Sequence, residues 1–431
     1  MKGGREGSPI LVIGAGAAGF CAAVFAARGA RAAGGGRRVL LLERTHEGGR
    51  KILMSGGGRC NVLPSELNPR RFVTASSPNT MKKLLLSWPL REQRRFFEEE
   101  LGLPLELEEE TGKLFPVSNR ARDVRDRLRN LAIREGAEMR FDCLVTSLDP
   151  PVSGGAWRAG LAGGGEIRAA RVVLATGGLS VPATGSDGTG LDVARRLGHT
   201  IHDTYPALTP LTARPHRYAP LAGVSLPVTL EAPLGRRAFV TRGGFLVTHK
   251  GYSGPAVLNV SHLAVLSRRA GGPPQPIYVR WTPLDAESWD RELRAAEGTV
   301  LGALRGRLPA RLADALLEDA AVGAATPLAQ LRREDRRRVV EALTRHPLPW
   351  TGDEGYGKAE VTGGGVALEE IDPRTLESRV RPGLFLCGEI LDAFGPIGGY
   401  NFAWAWATGR AAGLGAAMER ADAGHGSSGQ G

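Results

Sequence analysis

Four apolar residues, Ile10-Leu11-Val12-Ile13, run directly into Gly14-Ala15-Gly16-Ala17-Ala18-Gly19 and then into a small-residue stretch reaching about Arg28. An unbroken apolar run, a glycine turn and a helix in that order predict a buried parallel strand feeding a helix. After a Gly/Arg/Ala loop at 29–37, a second run, Val39-Leu40-Leu41-Leu42, ends at Glu43 and completes a βαβ unit. The uncharged span from Ile10 to Ala27 could be misread as a leader or membrane segment. Its internal glycines argue for the strand–turn–helix reading instead.

Further along, two helical segments are expected at about 78–101 and 119–135, flanking extended pieces near 104–117. Met139 to Leu148 reads as one strand, and Trp157–Leu161 with Ile167–Ala170 alternates as a hairpin around Gly163-Gly164-Gly165. Val172-Val173-Leu174-Ala175 returns as a buried strand ending in Thr176-Gly177-Gly178. The character then changes. Ala207 to Val279 has short alternating strands broken by Pro and Gly, which suggests a small barrel or sandwich, and about 285–345 has helical spacing with many charges. Glycines come back at Val361-Thr362-Gly363-Gly364-Gly365, at the end of the strand Leu384-Phe385-Leu386-Cys387, and at Gly398-Gly399-Tyr400-Asn401, which opens a last helix. The fold class is therefore α/β: a Rossmann nucleotide-binding domain, residues 9–198 and 351–419, interrupted by an inserted domain at 199–350 with a β part (about 207–284) and a helical part (about 285–345). Residues 1–8 and 420–431 read as frayed, disordered ends.

Composition refines this picture. A chain of 431 residues exceeds what one core usually serves, and 60 glycines without a three-residue period imply tight turns rather than collagen. The net charge of +11 could signal nucleic acid or another acidic partner, yet only seven cations are lysines, a skew that codon bias alone can produce. Cys21, Cys60, Cys143 and Cys387 are scattered without C-x-x-C spacing, which argues against a disulfide framework or a metal site and for a cytoplasmic location. Arg120, Arg122, Arg125, Arg127 and Arg129 with Asp123 and Asp126 read as a solvated helix face. On a second helix Arg332, Arg333, Arg336, Arg337 and Arg338 crowd one side; either Glu334, Asp335 and Glu341 neutralise them or a polyanion covers them.

The glycines carry the chemistry. Gly14 permits the tight turn, Gly16 lets a pyrophosphate approach the backbone, and Gly19 lets helix and strand pack closely. Ala15, Ala17 and Ala18 offer main-chain N–H groups at the positive end of the helix dipole. Glu43 can accept from ribose hydroxyls and disfavours a 2′-phosphate. Arg44, Arg50, Lys51 and Arg59 beside Gly48-Gly49 and Gly56-Gly57-Gly58 suit a long anionic cofactor, as do Cys60 and Asn61. Val145, Ala175, Thr176 and Gly177 lie on the strands that follow. Gly388-Glu389 and Gly398-Gly399-Tyr400-Asn401-Phe402 form a second cradle, whose helix N-terminus could face a flavin's pyrimidine edge. NAD would not need that second cradle, so FAD is the expected cofactor.

With these motifs in order over residues 9–415, the chain resembles the bacterial FAD-dependent oxidoreductases of YhiN and BaiN type. The further matches are Gly49-Arg50-Lys51-Ile52-Leu53, Ser55 through Asn61, Thr248-His249-Lys250-Gly251-Tyr252-Ser253-Gly254-Pro255 and Gly388-Glu389-Ile390-Leu391-Asp392. The resemblance implies a glutathione-reductase-like FAD domain, noncovalent FAD, and reduction either of activated C=C bonds in steroid-like enones or of uridine in ribosomal RNA. NADH or NADPH would be a transient donor, since no second Gly-x-Gly-x-x-Gly follows a strand. A small-molecule substrate is the leading expectation, ribosomal RNA the rival, and a flavin-binding sensor without turnover the reading from another class. Cys60, whose thiol pKa the neighbouring cations would lower, and His249 are the expected proton-donating residues. No metal and no membrane partner is expected.

Overall fold

The computed structural model describes residues 8–34, 37–152 and 155–418, so the expected frayed ends lie outside it except for Ser8. The chain divides into two compact units: Met1–Gly178, Ala183–Asp203 and Gly364–Gly431 form the first, Leu179–Pro182 and Thr204–Gly363 the second.

In the first unit, β1 (Ile10–Ile13) feeds α1 (Ala17–Ala32), which returns to β2 (Val39–Leu42). The expected helix at 78–101 is two helices, Pro78–Leu85 and Leu90–Arg95, broken where Pro89 caps the second. Next come α2 (Ala121–Arg134) and β3 (Ala137–Arg140). The single strand expected at Met139–Leu148 is also divided. Asp142 takes a positive φ of 53°, β3 stops before it, and β4 (Val145–Asp149) begins a separate antiparallel sheet with β5 (Trp157–Leu161) and β6 (Glu166–Ala169). β7 (Arg171–Leu174) then re-enters the main sheet.

In the second unit β8 (Ser225–Leu234) and β9 (Arg237–Val247) form a long hairpin, followed by α3 (Pro255–Arg269), β10 (Tyr278–Arg280) and, after three shorter helices, α4 (Arg333–Thr344). Its sheet has seven strands, from His346–Pro347 at one edge through β10, β8 and β9 to Gly352–Asp353 at the other. Among the described residues no ladder joins the two edges, so the small barrel expected is an open antiparallel sheet. Trp281, Trp289, Leu304, Leu316 and Leu343 pack into one core with Leu230 and Phe245 of the hairpin.

The chain re-enters the first unit at Gly364 with β11 (Leu384–Leu386) and α5 (Tyr400–Ala417). The first unit's main sheet is parallel in the order β11-β7-β1-β2-β3, with β1 buried along its length. This is the doubly wound arrangement that the first βαβ unit predicts. Small residues let α1 and α5 meet closely. A Cβ on Gly409 would lie 2.5 Å from Ala18 O, and one on Gly413 would lie 2.4 Å from Ala22 O. Contacts advance in the same sense along both helices, so they run parallel.

Candidate functional site

The carboxyl ends of β11, β7 and β1 lie side by side in the sheet, and a glycine follows each within three residues. Such a row of strand ends is where doubly wound sheets bind ligands. Each glycine of the first turn has its own reason. Gly14 has φ 101°, and a Cβ there would meet Ala175 O at 2.5 Å; one on Gly19 would be 1.8 Å from Gly14 O. Gly16 has ordinary backbone angles, φ −81° and ψ −170°, and nothing lies within 4 Å of where its Cβ would be. Sterics inside the protein therefore require Gly14 and Gly19 but leave open the space that Gly16 faces.

That space is lined by main-chain donors. Gly16 caps α1 without a side-chain hydrogen bond, and the ladder's first internal bond runs from Phe20 N–H to Gly16 O, so helix geometry leaves Ala17, Ala18 and Gly19 N–H without an acceptor in the helix. Glu43 at the end of β2 is buried. Its Oε2 accepts from Ala15 N–H at 2.8 Å, and its Oε1 accepts from Thr45 N–H and Oγ1 at 2.9 and 2.8 Å. The carboxylate thus holds the glycine turn in place, with lone pairs left for a further donor. Cys143 N–H bonds to Glu43 O at 2.8 Å, which brings the start of β4, with buried Val145, toward the same strand end.

The C-terminal cradle reaches the first turn. A Cβ on Gly388 (φ 80°) would be 2.8 Å from the Ala18 methyl, and Trp404 Nε1 donates to Gly388 O at 3.0 Å. Lys51 Nζ donates to Glu389 Oε2 at 2.6 Å, and Gly177 (φ 74°) lies beside Ser186 and Glu389. Thr176 Oγ1 is buried without a hydrogen-bond partner. The second helix terminus, Gly398 (φ 117°) and Gly399 (φ 90°), packs on Leu63-Pro64 just after Cys60 and Asn61, and α5 likewise starts without a side-chain cap. Gly409 sits opposite Ala18, so α5 begins eight residues farther out along its axis than α1, about 12 Å at the helical rise. Two bare helix N-termini thus point the same way, one staggered beyond the other.

Most of the other expected site residues have partners inside the protein. The cations near the turns have protein partners: Arg44 pairs with Asp187, Lys51 with Glu389, and Arg59 with Glu108 at 3.1 Å while lying over the Phe115 ring at 4.0 Å. Arg50 donates to Ala183 O at 3.1 Å. Gly58 is exposed in a run of three left-handed glycines. Cys60 is fully buried with φ 62°, and burial pushes its thiol up to about 12, against the lowering expected from the nearby cations. Both ends of the Asn401 amide bond to Gly395, at 2.8 and 2.9 Å. The Tyr400 hydroxyl accepts from Arg71 at 2.9 Å, and Phe402 stacks on Trp406. His249 belongs to the second unit, exposed in the turn that Thr248 Oγ1 closes by accepting from Gly251 N–H at 3.1 Å.

Two residues take roles that the sequence did not assign to them. Arg125, placed by its charge on a solvated face, is 3% exposed; it donates to Glu47 Oε2 at 3.0 Å and Gly48 O at 3.1 Å, and its stem covers Gly49. Asp392, also buried, accepts from Thr74 Oγ1, Ala75 N–H, Ser76 N–H and Ser76 Oγ at 2.8–2.9 Å, fixing the segment at 74–76. The basic helix is α4. There Arg336 bonds Asp290 at 2.7 Å and Arg332 and Arg338 bond Asp335, so neighbouring carboxylates neutralise three of its five arginines. Among the described residues no cluster of His, Cys, Asp and Glu could hold a metal, and no helix is long and apolar enough to cross a membrane.

The family model described as HI0933-like protein Rossmann domain matches residues 8–415. A 3-dehydro-bile acid delta(4,6)-reductase of Clostridium scindens is 33% identical over 95% of this chain and 98% of its own. A ribosomal RNA dihydrouridine synthase of Escherichia coli is 33% identical over 92% of this chain and 95% of its own. The solved open conformation of a flavocytochrome c3 fumarate reductase aligns over 96% of this chain and 79% of its own, with 19% identity and a TM-score of 0.49. The open cradle at Gly16, the unpartnered Thr176 hydroxyl and the two uncapped helix ends fit a long anionic dinucleotide, and with the family match over nearly the whole length, the chain belongs to the HI0933-like FAD-dependent oxidoreductases and is an enzyme of that class.

Proposed function

We propose that this protein reduces a carbon–carbon double bond conjugated to a carbonyl in a small molecule, with NADH or NADPH as the electron donor. The observation that carries the reading is the pair of bare helix N-termini on parallel, side-by-side helices, staggered by about 12 Å along their common direction, which suits FAD laid between them. Bound there, FAD supplies two-electron transfer between donor and substrate. The reaction class is supported by two relatives whose names share one chemistry. A Δ4,6-reductase acting on a 3-dehydro bile acid and a dihydrouridine synthase each saturate a double bond in conjugation with a carbonyl.

In this reading the N–H groups at Ala17, Ala18 and Gly19 hold the pyrophosphate, and Glu43 accepts from the ribose. Thr176, Gly177 and Gly388 line the middle of the cofactor, and the N-terminus of α5 at Gly399-Tyr400 favours negative charge on the ring's pyrimidine edge. Arg125 and Asp392 keep the surrounding turns in place. Saturation adds hydride to one carbon and a proton to the other. The exposed imidazole of His249 is the candidate acid, while Cys60, buried with a protonated thiol, packs beside the turn.

A second reading, reduction of uridine in ribosomal RNA, is favoured by the Escherichia coli relative's name. Anaerobic stopped-flow mixing tests the proposal. One nicotinamide should bleach the flavin absorbance, and a 3-oxo-4-ene steroid should restore it more slowly in His249→Ala than in the wild type. Restoration by ribosomal RNA alone would select the second reading. No bleaching by either nicotinamide would reject the donor, and no bleaching by any reductant would reject turnover.

A further inference from the structure

The first turn of α5 holds no acidic residue, and its cap, Gly399, contributes no side-chain hydrogen bond. Carboxylates favour the positive end of a helix and cations the negative end. At α5 the charges set against the positive end are cations. The short strands Leu63–Pro64 and Lys113–Pro116 pair in antiparallel register, with Pro64 opposite Lys113. They press on the glycine pair that opens the helix. A Cβ on Gly399 would lie 2.5 Å from the Leu63 carbonyl carbon, and one on Gly398 would lie 3.8 Å from both Cγ and Cε of Lys113. The half-buried Lys113 side chain therefore runs over Gly398, which leaves its ammonium one bond from that contact.

Arg71 approaches the same turn from another segment. Its Nη1 donates to the Tyr400 hydroxyl at 2.9 Å, and its guanidinium lies 4.9 Å from the centre of the Tyr400 ring, the first residue of α5. Among the described residues neither Lys113 nor Arg71 forms an ion pair. Glu108 stands opposite Lys113 across the strands, but its carboxylate accepts from Arg59 at 3.1 Å and from Thr111 Oγ1, and it meets Lys113 only through its field. Two cations and a bare helix N-terminus repel one another, a local cost that a bound anion would remove.

FAD brings two kinds of negative charge to such a cradle. Its pyrophosphate is assigned above to the N–H groups of α1, staggered from α5 by about 12 Å. The ring is neutral when oxidised; two electrons and one proton leave it with a negative charge on the N1–C2=O edge. We infer that Lys113 tunes the flavin: its ammonium, beside the N-terminus of α5, favours the reduced ring as an anion and raises the reduction potential. Arg71 is a positioning residue, fixing Tyr400 and adding a second positive charge. The inference rests on the FAD reading above and adds to it the side chain that sets the ring's electronics. Because the oxidised ring is neutral, Lys113 should matter little to the affinity for oxidised FAD.

The test uses the full-length FAD-loaded protein without substrate. Sulfite bonds through its sulfur lone pair to ring N5, and the displaced π pair moves to the N1–C2=O edge as negative charge, so sulfite affinity reads the positive charge there. Lys113→Met should raise the sulfite Kd roughly 10- to 150-fold, the worth of one charge-assisted hydrogen bond. The same ratio should lower the two-electron potential, measured by dye equilibration, by about 30–65 mV, at about 30 mV per tenfold. The potential reads the same charge without requiring sulfite to reach N5. Lys113→Arg should keep both values near the wild type, and Lys83→Met, on the exposed side of Pro78–Leu85, should change neither. Quenching of flavin fluorescence should give the wild-type Kd for oxidised FAD in every variant. A Lys113→Met protein that matches the wild type in potential overturns the inference, as does a Lys113→Arg protein that falls as far as Lys113→Met. Loss of FAD binding in Lys113→Met alone overturns the tuning role in favour of a holding one. Wild-type protein that takes up no FAD rejects the cofactor reading itself, a result distinct from any of these.

Discussion

Gly16 and Gly19 are three residues apart in one turn, yet replacing each by alanine should break different things. At Gly19 the new methyl would stand 1.8 Å from Gly14 O, a backbone atom that cannot rotate aside. Overpacking of this kind costs about 1–3 kcal/mol, and a backbone obstacle places it at the upper end. At Gly16 the backbone already has angles any residue adopts, and no protein atom lies within 4 Å. Reduced freedom of the unfolded chain stabilises by about 0.4–1 kcal/mol, while alanine is a poorer helix cap than glycine by a similar amount, so the two effects nearly cancel. The methyl would instead occupy the space through which an anion reaches the helix N–H groups. Losing one charge-assisted hydrogen bond costs about 1.5–3 kcal/mol, roughly a 10- to 150-fold rise in Kd for FAD. Urea denaturation of the apoprotein and quenching of flavin fluorescence on titration measure the two quantities separately. Should Gly16→Ala bind FAD as the wild type does, the pyrophosphate does not lie against this turn; should it unfold as early as Gly19→Ala, the space is not open.

Other outcomes follow from single side chains. Thr176→Val removes a buried hydroxyl that has no partner in the protein, so the apoprotein should be unharmed in urea while FAD affinity falls about 2- to 10-fold, the worth of one neutral hydrogen bond. Cys60, with its thiol near 12 and no exposure, presents about one thiolate in ten thousand at pH 8, so peptide mapping after brief iodoacetamide treatment should find Cys143 labelled and Cys60 unlabelled. Burial lowers His262 from 6.5 to about 4 in the folded state. Between those values the unfolded chain binds the extra proton, so its contribution is complete above pH 6.5 and is lost as pH falls toward 4, by about 3 kcal/mol. His262→Leu should flatten that part of the pH–stability curve measured by urea midpoints.

The first βαβ unit was readable because its determinants are local: strand, turn and helix lie within about thirty residues, and Gly19 answers a constraint set by Gly14 in the same turn. The C-terminal cradle was readable as a motif, and helix packing between Gly409 and Ala18 brings it to the first turn. What escaped the sequence is decided at long range. Nothing near Arg125 announces that its guanidinium turns inward to Glu47 and Gly48, because the same residue on the same helix could equally face water. Asp392 meets its hydrogen-bond donors more than 300 residues away, at Thr74 and Ser76. The cations near Cys60 suggested a reactive thiol, but Arg59 extends to Glu108 and the Phe115 ring, leaving burial to govern the sulfur. The break between β3 and β4 hangs on one left-handed residue, Asp142, inside a run that alternates like a continuous strand.

The parallel contact between α1 and α5 also dictates an order of events during synthesis. Ala18 leaves the ribosome roughly 20–80 s before Gly409, at ordinary elongation rates of about 5–20 residues per second. During that interval Phe25 can already pack on Trp88 and Phe96, but the stripe of α1 that meets α5, Ala18, Cys21, Ala22 and Ala26, has no permanent cover. The second unit is nearly contiguous in the chain and can complete its core while the nascent first unit waits. A newborn chain of this enzyme therefore carries a greasy, unpaired helix stripe until α5 emerges, and chaperone demand should concentrate there.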